Sequence, residues 1–354
     1  KYMFSVKNRK IGKGQKPFVI AEISANHGGD ILRAKDTILA AKHSGADAVK
    51  IQTYTPDTMT IDSQKEDFLI KDGLWKGYSL YQLYKEAHTP FEWHKELFNF
   101  ATDNNIILFS SPFDETAVDL LNELNVPAFK IASFEIVDLP LIEYVASKGK
   151  PIFISTGMSN QNEIADAIES CYKRDNKDIL LFHCISSYPT NLSESHLGDI
   201  SYIANHFNVE VGLSDHTLSN FASILAVAKG ASAIEKHFKL DNSDCGPDTS
   251  FSILPKQLKN LCAECEMAFN AVKANKLERT ASELENKKFR RSIYFVKSLK
   301  KGQKVTEADI RRIRPGYGLS PKYFSNIIGK ELKNDVQRGD RVTFDVFMDV
   351  NKKS

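Results

Sequence analysis

Apolar residues in this chain come in short, dense runs rather than in strict alternation. The runs are FVIAEI (18–23), DAVKIQ (47–52), IILFSS (106–111), AFKIAS (128–133), PIFIST (151–156), ILLFHC (179–184), VEVGLS (209–214) and SAIEKHF (232–238). Between them lie longer segments with apolar positions every three or four residues, such as ILRAKDTILAAKHSG (31–45), ETAVDLLNELN (115–125) and SNFASILAVAKG (219–230). A dense run predicts a strand buried on both faces, and its alternation with amphipathic helices predicts a parallel sheet. Eight such units in about 270 residues predict an α/β fold of the (β/α)8 TIM-barrel type. An open, doubly wound sheet is the competing architecture, but no glycine-rich dinucleotide fingerprint follows the first run.

Two departures from the repeat matter. Residues 55–90 form a long connection after the second run, and on a barrel such connections lie over the active-site face. They serve as lids or specificity elements, or as surface decoration. From KANKLERTASELENKKFRRS (273–292) onward the helical pattern gives way to short strand-like runs and Lys-Gly and Arg-Gly turns. The expected organisation is a barrel over 1–272, a linker over 273–287 and a small β-rich domain over 288–354.

With 47 basic and 45 acidic residues the formal charge is +2, which gives no reason to expect nucleic acid or an anionic membrane as partner. No apolar run is long enough for a membrane span, and the first residues lack a signal peptide's apolar core. The sparse, odd set of Cys171, Cys184, Cys245, Cys262 and Cys265 predicts reduced thiols and a cytoplasmic location. Cys262 and Cys265 form a CxxC inside a helical pattern with no second pair, so its spacing is read as chance.

The chemistry gathers at the ends of the predicted strands, where barrel enzymes keep their active sites. Glu22, Asn26 and His27 follow the first, Lys50 and Gln52 the second, and Ser110 and Ser111 the third. Lys130 and Ser133, Ser155 and Thr156, and His183, Ser186 and Tyr188 follow in turn. The last two strands end in Ser214, Asp215 and His216 and in Glu235, Lys236 and His237. His216 and His237 stand one βα unit apart (237 − 216 = 21), which puts two imidazoles at one height on neighbouring strands. That pairing suits a divalent transition metal with open positions, and Asp215 or Glu235 would be the supporting carboxylate. Lys50 and Lys130 face the same mouth and form either an anion receptor or ion pairs with Glu22, Glu235 or Asp248. Asp248 lies in GPDTSFS (246–252), and Arg314 in RPGYGLSP (314–321) is either presented to a carboxylate or acetamido oxygen or part of a surface turn. Lys236 points the other way by strand alternation.

IAEISANHGGD, KIQTYTPDT, FSSPFD, FKIASFEI, ISTGM, SSYPT, GLSDHT, IEKHF and RPGYGLSP resemble, in order, the motifs of the sialic acid synthase family. The resemblance covers nearly the whole chain. It implies a TIM barrel joined to an antifreeze-like (SAF) domain, and condensation of phosphoenolpyruvate with an amino-sugar aldehyde to a nine-carbon 2-keto acid. It also implies a homodimer whose small domains are swapped. By motif, His216 and His237 would hold the metal, Mn2+ first, with Mg2+ or Co2+ as alternatives. Lys50, Ser111, Lys130, Ser133, Ser155 and Ser214 would hold phosphoenolpyruvate. Glu22, Tyr188, Asp248 and Arg314 would face the sugar, Arg314 from the other subunit, and Asn26, Gln52, Ser186 and Glu235 complete the substrate-binding set. Glu22 is the expected proton-handling group.

Within the family, KIQTYTPDT, DFLIKDGLW and ASFE are closer to the pseudaminate-forming branch, and Ser186 stands where neuraminate-forming members usually carry Asn. The acceptor implied is 2,4-diacetamido-2,4,6-trideoxy-altrose. The alternatives are neuraminate or legionaminate formation, or a non-catalytic sugar-binding protein, against which the intact set of His216, His237, Lys50, Lys130 and Glu22 speaks.

Overall fold

The computed structural model describes residues 3–72, 75–243, 246–274 and 276–348. The chain divides into two units, 1–273 and 274–354. The first opens with a hairpin of β1 (Phe4–Val6) and β2 (Arg9–Ile11), which the dense-run pattern did not predict. Eight parallel strands follow: β3 (Phe18–Glu22), β4 (Ala48–Thr53), β5 (Ile107–Pro112), β6 (Phe129–Ile131), β7 (Ile152–Ser155), β8 (Ile179–Cys184), β9 (Glu210–Asp215) and β10 (Ala233–His237). They pair in sequence order, and β10 closes on β3. The predicted (β/α)8 barrel is therefore what forms.

The intervening helices are α1 (Ile31–His43), α2 (Pro56–Met59), α3 (Leu80–Ala87), α4 (Phe91–Asp103), α5 (Glu115–Glu123), α6 (Leu139–Ala146), α7 (Gln161–Tyr172), α8 (Gly198–His206), α9 (Phe221–Ala228) and α10 (Pro255–Ala271). Their starts are written locally. Asp30, Asp114, Asp138 and Asn160 each accept hydrogen bonds from backbone N–H groups of the first turn. Such caps contribute roughly 0.5–2 kcal/mol each.

Inside the barrel, side chains stack in layers. The lower layers are aromatic: Phe18, Phe109 and Phe182 pack around Phe153 with ring centroids 5.4–6.2 Å apart, and Phe4 of the hairpin joins them from below at 6.1 Å. Burying each ring stabilises the fold by roughly 1.5–3 kcal/mol. Gly212 makes room for this layer, since a β-carbon there would come within 2.7 Å of the Phe182 ring and 2.5 Å of the Ala233 carbonyl. Above the phenylalanines the same inward positions turn polar, and that change of layer sets the floor of the site.

The second unit has its own core of Ile293, Phe295, Val305, Ile310, Ile327, Leu332, Val336, Val342 and Phe347. Among the described residues, regular strand here is limited to the pair β11 (Ser292–Phe295) and β12 (Ile310–Ile313), supplemented by single bridges such as Leu299–Val336 and Leu332–Phe347. The polar segment before it contains the α-helical stretch Ala281–Glu285 and a 3-10 turn over Asn286–Phe289. Among the described residues no helix is long and apolar enough to cross a membrane. Cys171, Cys184, Cys262 and Cys265 are free thiols, and Cys245 lies outside the described residues. Burial pushes the Cys262 and Cys265 thiol pKa values up to about 12.

Candidate active site

Strand alternation sorts the polar strand ends into two sets. On β3, β4, β9 and β10 the register places Glu22 beside Lys50, Ser214 beside Glu235, and His237 beside Glu22, all directed into the barrel mouth. The intervening residues point outward to the helices. Ser110 bonds Thr53 and the Ile51 carbonyl, and the Thr156 hydroxyl donates to the Phe182 carbonyl. His183 contacts the Ser195 carbonyl through Nε2 at 2.8 Å. Lys236, fully buried, donates to Asp215 Oδ2 at 2.8 Å and to the Thr217 and Ser219 carbonyls. Asp215 is thereby corrected as a candidate support for the imidazoles: Lys236, Ser223 and Thr217 take up its oxygens on the outer face.

The inward set lines a cavity of about 670 Å³, within the range of small-molecule sites. Glu22, Lys50, Gln52, Lys130, Ser133, Ser155, Tyr188, Ser214, His216, Glu235, His237 and Asp248 all contribute to its wall. Three other site candidates of the first unit do not. Ser111 sits beneath, accepting a 3.1 Å hydrogen bond from Lys50. Asn26 is turned into the protein, where its amide donates to the Phe238 carbonyl and to Ser252 and accepts from Thr249. It therefore ties down the loop that carries Asp248. The Ser186 hydroxyl lies over Gly157, where a β-carbon would collide with it and with Ser133 Oγ and Cys184 Sγ. Arg314 belongs to the second unit and is exposed.

The cavity floor is a buried charge quartet. Lys50 Nζ lies 2.7 Å from Glu22 and 3.5 Å from Glu235, and Lys130 Nζ lies 3.3 Å from Glu235 and over the Phe182 ring. All four side chains are at most 4% exposed. Two lysines thus meet two carboxyl groups, the ion-pair alternative weighed from sequence, and Glu22 is the carboxyl whose protonated form burial favours. Pairing offsets a desolvation cost that none of the four could bear alone. Burial raises the Glu22 carboxyl, with Glu235 adding to the effect against the pull of Lys50. Burial also opposes ionisation of Glu235, but Lys130 and Lys50 outweigh it and hold that carboxyl down to about 2. Lys50 keeps its proton firmly, because Glu22 and Glu235 overcome its own desolvation. Lys130 is shifted the other way, burial and the neighbouring Lys50 outweighing Glu235.

Beside the quartet, the His216 and His237 rings stand 5.5 Å apart, flanked by Tyr188 and Phe251. His216 contacts the Ile185 carbonyl through Nδ1 at 2.9 Å, which fixes Nδ1 as the protonated nitrogen and leaves Nε2 with its lone pair. His237 Nδ1 is buried with no hydrogen-bond partner, its nearest carboxylate being Asp248 at 3.8 Å. Burial lowers both imidazoles, and for His237 the neighbouring His216 adds to it, so both are neutral. Neutral imidazoles are what a divalent metal needs, and here His216 Nε2 has a long contact with Ser214 Oγ at 3.5 Å while His237 Nδ1 has no hydrogen-bond partner. Among the described residues no group of three or more His, Cys, Asp or Glu side chains forms a complete cage. The fit is to a two-histidine site whose other positions go to water and substrate.

Three residues of this site were not singled out from sequence. Ser24 adopts a left-handed backbone (φ 44°) and links three neighbours: its N–H donates to Glu22, its hydroxyl accepts from Gln52 at 3.3 Å, and that hydroxyl also bonds Asp248. A strained, non-glycine residue at a cavity is a recurring mark of function. Glu135 faces the cavity with one carboxyl oxygen buried and unpartnered, and burial pushes it up to about 7. Phe251 packs on His237 at 4.9 Å. All three lie within stretches quoted above, Ser24 in IAEISANHGGD, Glu135 in FKIASFEI and Phe251 in GPDTSFS.

Residues 37–276 match the NeuB family, and residues 290–348 match the SAF domain. The chain belongs to the NeuB family. This bears out the resemblance read from its motifs. Among NeuB-family relatives, the pseudaminic acid synthase of Campylobacter jejuni subsp. jejuni serotype O:2 is 42% identical, over 92% of this chain and 95% of its own. The pseudaminic acid synthase of Helicobacter pylori is 42% identical over 90% of this chain and 94% of its own. Among solved structures, N-acetylneuraminic acid synthetase from Leptospira borgpetersenii serovar Hardjo-bovis, crystallised with citrate, superposes with a TM-score of 0.73 at 32% identity. That match covers 80% of this chain and 95% of the other.

Proposed function

We propose that this NeuB-family chain is a pseudaminic acid synthase, condensing phosphoenolpyruvate with 2,4-diacetamido-2,4,6-trideoxy-altrose and water to give pseudaminic acid and phosphate. The observation that carries the reading is 42% identity along nearly the full length to enzymes of that name. The cavity supplies groups suited to the chemistry.

Lys50 and Lys130, with Ser133, Ser155 and Ser214 around them, receive the phosphate and carboxylate of phosphoenolpyruvate. Its C3 attacks the acceptor's aldehyde carbon, water adds at C2, and the C2–O bond to phosphate breaks. Glu22, with its raised pKa, is the group that hands a proton to the aldehyde oxygen as charge develops there. Glu235, held ionised, keeps the two lysines charged and in place. His216 and His237 would hold a divalent metal, Mn2+ in preference to Mg2+ or Co2+, and when bound it supplies Lewis-acid polarisation of the aldehyde. The same reading takes the working form as a swapped homodimer, in which Arg314 of the partner subunit meets the acceptor's acetamido oxygen.

The test is product analysis with phosphoenolpyruvate labelled by 18O in its bridging position. The reading predicts a nine-carbon 2-keto acid and label in the released phosphate. Label retained in the sugar acid, or hydrolysis without a C–C bond, would contradict it.

A further inference from the structure

Helix α3 has an apolar stripe, Leu80, Leu83, Tyr84 and Ala87, at the spacing of a core-facing helix, yet none of its residues is fully buried. Such a stripe normally seals against the protein. Here Leu83, Tyr84 and Ala87 open onto the cavity, joined by Met59 at the end of α2 and by Phe113. The wall is built to hold its shape. Ser79 and Gln82 form a reciprocal cap at the start of α3, the Tyr81 hydroxyl bonds Asp57 of α2, and Tyr54 meets Tyr84 and Phe113 edge-on at 5.8 and 5.3 Å. All of α2 and α3 lies within the long connection after β4.

We infer that this wall is the subsite for the methyl-bearing far end of the acceptor sugar, and that it discriminates against acceptors with a hydroxymethyl group there. The inference rests on the proposed condensation. The reacting aldehyde carbon belongs at the polar floor, near Glu22 and the imidazoles, and the acetamido group at C2 is next to it. The remaining carbons must therefore extend away from the floor. In a 2,4-diacetamido-2,4,6-trideoxy sugar that far end carries an acetamido methyl and a terminal methyl, both of which gain by leaving water. A terminal hydroxyl placed against Leu83 and Met59 would lose its water and find no partner on those side chains.

The experiment compares kcat/KM for 2,4-diacetamido-2,4,6-trideoxy-altrose and for its 6-hydroxy counterpart, in wild type, Leu83→Asn and Met59→Gln. Apolar pockets discriminate by roughly 10–200-fold per group, so wild type should favour the 6-deoxy acceptor by about that range, mainly through KM. Either substitution should shrink the ratio several-fold. Because both acceptors are read on the same protein, partial misfolding lowers both values and leaves the ratio untouched. An unchanged ratio in both variants, with wild type active, overturns the inference alone. No turnover of either acceptor by a wild type that condenses N-acetylmannosamine overturns the pseudaminate reading and the inference with it.

Discussion

Glu235 holds Lys130 at 3.3 Å in the floor of the cavity, and the two are buried together. A buried ion pair adds little over an apolar pair of the same shape, but breaking one side of it is costly. Glu235→Gln should therefore lower stability by roughly 3–5 kcal/mol, read as a fall in the urea midpoint. Adding Lys130→Met should recover much of that loss while activity stays absent. A double variant no more stable than the single would show that the pair is not the cause.

Removing an imidazole should separate metal binding from folding. His237→Ala and His216→Ala should weaken Mn2+ binding by at least the roughly 10–100-fold that loss of a supporting residue costs. Equilibrium dialysis measures that directly. The thermal midpoint of the metal-free protein should fall less in His237→Ala than in His216→Ala, since His237 Nδ1 has no hydrogen bond to lose while His216 gives up its contact with the Ile185 carbonyl.

Glu135 gives a pH-dependent signature. Its folded pKa is raised from an ordinary 4.5 to about 7, so the proton is bound more tightly in the native state. The carboxyl costs nothing below about pH 4.5, and its penalty grows through this window and is complete above about pH 7. Glu135→Gln removes the penalty, so the variant should gain in Tm relative to wild type as pH rises from 5 to 8. A difference that is constant with pH would place the titration elsewhere.

Gly157 is the position where the least change should do the most local harm. A β-carbon there would strike Ser186, Ser133 and Cys184 together. Gly157→Ala should raise KM for phosphoenolpyruvate about tenfold or more, by displacing Ser133 from the cavity wall. The acceptor KM should change less. Equal effects on both would argue that the serines do not hold phosphoenolpyruvate.

The parts of this molecule that were legible in the sequence are those written by local chemistry. Each of the eight strands falls within a residue or two of its apolar run, because a strand covered on both faces must be apolar along its whole length. The spacing of His216 and His237 gave their shared height, since neighbouring βα units repeat the same geometry. What stayed hidden depends on pleat and on long-range contacts. Asp215 and Glu235 look alike as strand-end acids, and only alternation sends one to Lys236 on the outer face and the other to Lys130 inside. Asn26 reads as a site residue and instead anchors the 248–252 loop. Ser24 reads as an ordinary turn serine, but its hydroxyl meets partners 28 and 224 residues away.

Phosphate release from phosphoenolpyruvate in the presence of Mn2+ tests the central claim most directly, with 2,4-diacetamido-2,4,6-trideoxy-altrose, N-acetylmannosamine or no sugar as the three arms. The account predicts release with the first acceptor alone, lost in His237→Ala. Release with N-acetylmannosamine and none with the diacetamido sugar would contradict it.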